Sequence, residues 1–305
     1  MKNSILFITG PTAIGKSELA IRLSKEINGE IINADSMQIY KELKIVSARP
    51  NNQDIKSVNH HLYGYVSGRL RYNVEKWCND ATKKIKNLLS KNLTPILVGG
   101  TGMYIDTLIN GITSMPNIPE SIKIESKNLF DKIGQKEFYN LVYSLDTKAV
   151  SDISKNDSQR LKRIWEVYNY TGKKFSTWKS NKNKKFLDIQ DYKIFLFLPE
   201  RNKNYSRVNR RAMNMIDSGA IQEIQRLLKL GFSKNLPIMK AHGVPEISSY
   251  LDGKIKLDEC IQNIQLVTRH YVKRQNTWWS SSNLQIYRKF NEFPDEIDLK
   301  LTNLA

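Results

Sequence analysis

The first apolar run of the chain, SILFIT at residues 4–9, is short, unbroken and followed by a glycine-rich loop, which is the pattern of a buried strand. SELAIRLSKEI (17–27) then spaces Leu19, Ala20, Leu23 and Ile27 three and four apart among charged residues, the pattern of an amphipathic helix. EIINADS (30–36) repeats the strand pattern and ends in a carboxylate, and VEKWCNDATKKIKNLLSKN (74–92) is helical. TPILVGGTG (94–102) is a third buried strand, bounded by Pro95 and the paired Gly99 and Gly100. Short apolar strands alternating with helices predict an α/β fold, a three-layer parallel sheet with helices on both faces. A ligand of such a sheet sits at the carboxyl ends of the strands, where the glycine-rich loop, Asp35 and Thr101 converge.

From about Gly111 to Gln190 the pattern changes to polar helices punctuated by MPNIPE, Gly134 and TGKK, with no clear buried strand. This reads as a helical insertion. YKIFLFLPE (192–200) looks like a strand returning to the main sheet. YSRVNRRAMNMIDSGAIQEIQRLLKLG (205–231) reads as helix capped by Gly231, and LDECIQNIQLVTRHYVKRQNTWW (257–279) as another. The segment from about Asn291 is acidic and polar and reads as peripheral. The expected division is a core of residues 1–111 and 191–305 with a mainly helical lobe at 112–190. No internal repeat is present.

Composition adds one constraint. The 305 residues carry 48 Lys and Arg against 30 Asp and Glu, a net charge of +18, while 40% hydrophobic content is that of a folded chain. The chain is rich in Lys, Asn and Ile throughout, so the location of the charge matters more than its total. Between Lys155 and Arg211 lie 16 basic and 5 acidic residues, a local excess of +11, and residues 268–290 hold five basic residues and no acid. Clustered positive charge suggests a polyanionic partner such as nucleic acid. Cys78 and Cys260 are far apart and belong to no CxxC pair, so neither reads as a metal ligand. No apolar run approaches the roughly 20 residues of a membrane span. The expectation is a cytoplasmic protein with no membrane association and no evident need of an obligatory protein partner.

GPTAIGKS fits G-x-x-x-x-G-K-[ST] and lies between a predicted strand and a predicted helix, the context that the motif needs. Gly10, Pro11, Thr12, Ala13, Ile14, Gly15, Lys16 and Ser17 would cradle phosphate oxygens with backbone N–H groups. Lys16 adds a point charge, and the Ser17 hydroxyl is a candidate ligand for Mg2+. That geometry recognises a pyrophosphate-like group and demands no nucleoside. Asp35 is the one carboxylate read at a sheet end, because ILVGG finishes in glycines. It would assist the metal, act as a base toward a second substrate, or cap a helix beginning at SMQIYKEL.

Seven strings in one order, GPTAIGKS, NADSMQIY, HHLYG, VGGTGMYI, KNDSQRLKRIWEVYNYTGKKFS, RVNRRAMNMIDSG and TRHYVKRQNTWW, closely resemble the bacterial tRNA dimethylallyltransferase family over residues 4–280. The resemblance implies transfer of a dimethylallyl group from dimethylallyl pyrophosphate to N6 of the adenosine 3′ of the anticodon in tRNA, with Mg2+ as cofactor. It implies Asp35 as the base and Thr101 as the site threonine, which positions either the amine or the leaving oxygen. Arg207 and Arg211, four apart on a predicted helix, match the family's paired arginines and are expected to bring one or both guanidiniums to the pyrophosphate. For the anticodon stem-loop, the matching stretches are Asp35, Ser36, Met37 and Gln38; Thr101; Lys123; Gln159, Arg160, Leu161, Lys162 and Arg163; and Lys273, Arg274, Gln275 and Trp278. The helical lobe is expected to contribute to tRNA binding.

The match departs from the family pattern in places. AHGVPE puts Val244 and Pro245 where an aromatic and a base are common, Lys123 stands where Arg is expected, and Met213 where an acid is common. The chain also lacks the cysteines of the C-terminal zinc finger found in eukaryotic relatives. Two rival readings follow from parts of the sequence. An ATP-using small-molecule kinase would explain the loop, but it would need adenine and acceptor pockets and leave the charge clusters idle. A non-catalytic RNA-binding module would explain the charge but not the gathering of Lys16, Ser17, Asp35 and Thr101.

Overall fold

The structure, a computed structural model, describes residues 4–151, 153–180, 183–188 and 191–299. The chain begins with β1 (Ile5–Thr9), α1 (Lys16–Glu26), β2 (Gly29–Asn33), α2 (Asn52–Ser57), β3 (His60–His61), α3 (Val74–Leu89), β4 (Thr94–Gly99) and α4 (Gly102–Asn110). There follow β5 (Ile112–Thr113), α5 (Glu120–Leu145), α6 (Thr147–Val150), α7 (Ser158–Thr171), α8 (Phe175–Lys179) and β6 (Asn183–Lys184). The last stretch holds β7 (Tyr192–Phe197), α9 (Arg201–Asp217), α10 (Ala220–Lys229), α11 (Val244–Leu251), α12 (Leu257–Ser281) and β8 (Arg288–Phe290). The chain separates into two compact units, Met1–Ile109 with Phe186–Ala305, and Asn110–Lys185. The expected end of the lobe at residue 190 lies outside the described residues.

In the first unit six strands pair in the order β3-β2-β4-β1-β7-β8, every pairing parallel. Successive side chains of a strand point to opposite faces, and both faces are buried here. Leu6, Ile8, Ile96, Val98 and Phe195 pack with Leu19, Ala20 and Leu23 of α1 on one side. Phe7, Ile32, Leu97 and Leu196 pack with Trp77, Ala81 and Ile85 of α3 and with residues of α4, α10, α11 and α12 on the other. The continuous apolar strands thus reflect a sheet covered twice. β1, at the centre, delivers the glycine-rich loop to the carboxyl edge between β4 and β7.

Three expectations for this unit need correction. The helix read over 205–231 is two helices, because Ser218 ends α9 and Gly219, at φ 98°, opens α10. No helix follows Asp35, where the chain makes turns as far as Ala48. The segment after Asn291 is not peripheral: Phe293 and Ile297 are buried beside α1, and Arg22 of α1 donates to the carbonyls of Pro294 and Ile297, both at 2.9 Å. Alternating apolar anchors among acids made that segment read as a solvated tail.

The departure at AHGVPE also has a local explanation. Pro245 sits in the first turn of α11, where its missing N–H has no intrahelical partner to lose, and Val244 is buried in the core. Cys78 and Cys260 are buried as well, and burial pushes their thiols up to about 12 and about 11, as inert core residues require. No helix among the described residues is long and apolar enough to cross a membrane.

The second unit is held by α5 packed on α7, with Phe138, Val142, Val150, Leu161, Ile164 and Trp165 forming its core. α5 is interrupted at Gly134, where φ is 81°. β5 and β6 pair antiparallel across the two ends of the unit, a short ladder that its polar sequence did not signal.

Candidate active site

The loop after β1 takes the shape that its residue types require. Gly10 has φ 141°, and an added Cβ would come within 2.2 Å of the Phe197 carbonyl oxygen, so only glycine fits there. Gly15, at φ 94°, turns the chain into α1, whose first residues are Lys16 and Ser17. The N–H groups of that first turn lack intrahelical acceptors and carry the positive end of the helix dipole, which together form an anion-binding concavity. Lys16 folds back so that Nζ donates to the Pro11 carbonyl at 2.5 Å. Desolvation lowers its pKa to about 7, against a raising influence from Asp35 and with a smaller lowering one from Arg211. An anion entering the loop would restore the full charge on Lys16.

Asp35, Arg211 and the loop residues Thr12 to Ser17 line one cavity of about 810 Å3. Asp35 follows β2 directly. Its Oδ1 accepts from the N–H groups of Met37 at 2.8 Å and Gln38 at 3.3 Å, which fixes the carboxylate in a turn. Asn33 steadies the same turn from both sides, accepting from Asp35 N–H and donating to its carbonyl. The N-cap alternative is therefore half realised: Asp35 caps a turn, and it also faces the cavity. Thr101 lies one residue beyond the glycine pair after β4. Its Oγ1 accepts from Ser36 N–H at 3.3 Å, and its side chain is hydrogen-bonded to Tyr271.

The two arginines of α9 part company. Arg211 reaches the loop, where Nη1 donates to Thr12 Oγ1 at 2.9 Å, and burial lowers its pKa while Asp35 opposes that shift. Arg207 turns instead to the C-terminal segment and binds Asp295 and Glu296, so the expectation that one or both would reach the pyrophosphate narrows to Arg211. Arg210 is exposed. Among the described residues no group of three or more His, Cys, Asp and Glu side chains could cage a metal. The donors on hand suit Mg2+ nonetheless, because this ion retains water and is commonly held by one or two protein oxygens plus phosphate. The exposed hydroxyl of Ser17, at the lip of the cavity, is such an oxygen.

Of the residues expected to face RNA, Ser36, Met37, Gln38 and Arg274 line the same cavity. The amide nitrogen of Gln38 is committed internally, donating to the carbonyls of Ser47 and Ala48. Lys273 is exposed. Gln275 is a correction: it lines the cavity too, but it is 5% exposed and both ends of its amide are taken by Thr12 and Gly100, so its amide is committed to the protein. Trp278 is half-buried, with its six-membered ring close to Gly102 and against the core. In the second unit Gln159 and Arg160 are exposed on α7, with Arg160 paired to Asp157. Lys162 lies 4.7 Å over the Phe130 ring, Arg163 is 3.7 Å from Glu166, and Lys123 pairs with Glu120 on α5. Leu161 is fully buried in that unit's core and cannot contact a nucleic acid.

Several cavity residues carry no motif of their own. His242 and Tyr271 pack edge to face, with ring centroids 5.0 Å apart. Burial lowers the His242 pKa, helped by Arg274, and raises that of Tyr271, helped by Asp35. Ile264, Thr268, Tyr271 and Gln275 form one stripe of α12 at spacings of four, three and four, and all four line the cavity. Polar side chains recurring on what should be a buried helical face were the signal available in the sequence. Val208, Ala212 and Met215 of α9 add an apolar wall.

Fold and site define a P-loop protein whose phosphate cradle shares a cavity with a fixed carboxylate and an apolar wall. The family profile described as "IPP transferase" matches residues 38–282, and that described as "Isopentenyl transferase" matches residues 3–70. A tRNA dimethylallyltransferase of Wolbachia pipientis wMel is 44% identical over 282 residues, covering 92% of this chain and 93% of its own. One of Ehrlichia canis (strain Jake) is 42% identical over 279 residues, 92% of each. The crystal structure of a tRNA isopentenylpyrophosphate transferase from Bacillus halodurans superposes with a TM-score of 0.67 at 28% identity, over 94% of this chain and 90% of that one. A eukaryotic dimethylallyltransferase solved acting on tRNA gives 0.74 at 27% identity, over 90% of this chain and 69% of that one. The chain belongs to the IPP transferase family, among the bacterial tRNA dimethylallyltransferases.

Proposed function

We propose that the protein transfers the dimethylallyl group of dimethylallyl pyrophosphate to N6 of the adenosine 3′ of the anticodon in tRNA, releasing pyrophosphate. The observation that carries this reading is that Asp35, Lys16 and Arg211 line one cavity, so that a proton acceptor faces a phosphate site. The adenine amine is a weak nucleophile because its lone pair is delocalised into the ring. As N6 attacks C1 of the allyl group, the C1–O bond breaks, pyrophosphate departs and the N6 proton passes to Asp35. With Oδ1 held by two backbone N–H groups, Oδ2 is the oxygen left for that task.

Charge grows on the bridging oxygen as it leaves. The N–H groups of the loop, Lys16 and Arg211 stabilise it, and Ser17 would hold Mg2+. When bound, the metal supplies further neutralisation of the leaving pyrophosphate. Thr101, held between Ser36 and Tyr271, positions the amine or the leaving oxygen. Val208, Ala212 and Met215 offer an apolar surface for the prenyl chain. The basic residues of α7 and α12 contact the phosphates of the anticodon stem-loop, and a tRNA substrate implies a cytoplasmic location. A kinase reading finds no support among the relatives. Mass spectrometry of tRNA adenosines after incubation with enzyme, Mg2+ and dimethylallyl pyrophosphate tests the proposal, which fails if no isopentenylated adenosine forms.

A further inference from the structure

We infer that Gln275 is a positioning residue that sets the phosphate loop against the Thr101 loop, fixing where the leaving group lies relative to the attacking amine. This rests on the reaction proposed above. The backbone N–H of Thr12 donates to Gln275 Oε1 at 2.9 Å, and Gln275 Nε2 donates to the Gly100 carbonyl at 2.9 Å. Because a backbone N–H can only donate and a carbonyl can only accept, the amide has one permitted orientation and both its ends are used. The residue is 5% exposed.

The surroundings are built to fit this bridge. A Cβ added at Gly100 would stand 2.2 Å from Gln275 Nε2, so the second glycine of VGGTG is the seat of the amide. One helical turn further along α12, Trp278 rests on Gly102, so Gly100 and Gly102 flank Thr101 and are each covered by a side chain of the same helix. Thr12 is gripped twice, through its N–H by Gln275 and through its hydroxyl by Arg211. Gln275 thus joins the loop proposed to hold pyrophosphate to the residue immediately before Thr101. The sheet holds the two loop bases together where Thr9 pairs with Gly99 and its hydroxyl donates to the Gly99 carbonyl at 2.9 Å, and Gln275 carries that tie past the strand ends to Thr12 and Gly100.

The test compares Gln275→Met with Gln275→Glu. Met keeps the volume and removes both hydrogen bonds. Glu keeps an acceptor for Thr12, but as a carboxylate it opposes the Gly100 carbonyl. Protonated, it recovers the donor and becomes an isostere of Gln. Single-turnover prenyl transfer at saturating donor and tRNA is measured from mildly acidic to mildly alkaline pH, well below the melting temperature of each variant. Misplacement by an ångström costs about 10²-fold in rate, so Gln275→Met is expected to be slower by about that factor at every pH with tRNA affinity unchanged. The ratio of Gln275→Glu to wild type is expected to rise as pH falls. Lys16, Asp35, Arg211, His242, Tyr271 and Arg274 face the same cavity in every variant, and the uncharged Gln275→Met, whose ratio to wild type is expected to stay flat with pH, is the reference for their titration.

A Gln275→Met rate within about twofold of wild type, or a flat Gln275→Glu ratio, overturns the inference. Binding of inorganic pyrophosphate, which needs no tRNA, is expected to weaken in Gln275→Met and recover at low pH in Gln275→Glu. An inactive wild type with that binding pattern would contradict the proposed reaction while leaving the bridge standing. Unchanged pyrophosphate binding in both variants would overturn the bridge.

Discussion

Arg207 donates from Nη1 to both carboxylate oxygens of Asp295, at 2.8 and 2.7 Å, and from Nη2 to Glu296 at 3.1 Å. Its guanidinium also lies 3.6 Å from the centroid of the Phe293 ring. The arginine therefore latches the C-terminal turn onto α9, beside Gly15, which Asp295 approaches closely. Both partners are largely shielded, with side chains 21% and 27% exposed. Arg207→Ala is expected to lose about 1–2 kcal/mol of stability, between the values for exposed and fully buried pairs. Urea unfolding and limited proteolysis after residue 290 check this. Pyrophosphate affinity should fall less than in Arg211→Ala, and the reverse order would make Arg207 the ligand.

Asp35→Asn keeps the turn, because the amide oxygen still accepts from Met37 and Gln38, but it cannot take the proton. General-base assistance is worth about 10² to 10⁴ in rate, so single-turnover transfer should fall by that range while tRNA affinity stays within several-fold. Near-normal rates with saturating substrates would remove Asp35 from the role of base.

Lys16 gives donor binding a pH dependence whose sign is fixed. Its pKa in the free site is lowered to about 7, and the bound anion favours the charged form, so binding takes up a proton. Affinity is then highest below that value and declines as pH rises through it, by at most about tenfold per pH unit for one proton. Lys16→Arg stays charged and should abolish this component. Calorimetric titration of both proteins with inorganic pyrophosphate separates it from the ligand's own ionisation, which is common to the two. Parallel pH profiles would contradict the assignment.

Lys162 and Arg163 on α7, and Lys273 and Arg274 on α12, should contact RNA mainly through its backbone. Each neutralised phosphate contact flattens the slope of log K against log salt by somewhat under ~1 unit. Paired alanine substitutions should lower the slope, and the Lys162 and Arg163 pair, outside the cavity lining, should leave pyrophosphate affinity alone. An unchanged slope would mean that these side chains serve only their local partners, such as Glu166 and Phe130.

The sequence made the alternation of strands and helices legible, because a parallel sheet buried on both faces forces continuous apolar strands. GPTAIGKS was legible for a similar reason: a loop around phosphate needs glycines at fixed places. Side-chain roles on long helices were harder to read. KRQNTWWS looked like a nucleic-acid surface because charge and aromatics mix there, yet helical phase sends Lys273 outward and Gln275 and Trp279 inward. Leu161 stands among basic neighbours and reads with them for the same reason, although Ile164 and Trp165 repeat at its spacing on the buried face. Arg207 and Arg211 share a face in sequence, and only the position of Asp295, 88 residues away, separates their partners.

The central claim is that GPTAIGKS holds the pyrophosphate of a prenyl donor and not a nucleotide. The loop recognises linked phosphates whatever they are esterified to, and cleavage of an allylic pyrophosphate supplies its own leaving group. Transfer of a labelled dimethylallyl group to tRNA, with Mg2+ present and nucleotides rigorously removed, measures this directly. Full transfer without ATP is expected, with Lys16→Ala strongly impaired in transfer but retaining its tRNA affinity. A strict requirement for ATP, or ATP hydrolysis stoichiometric with product, would contradict the account.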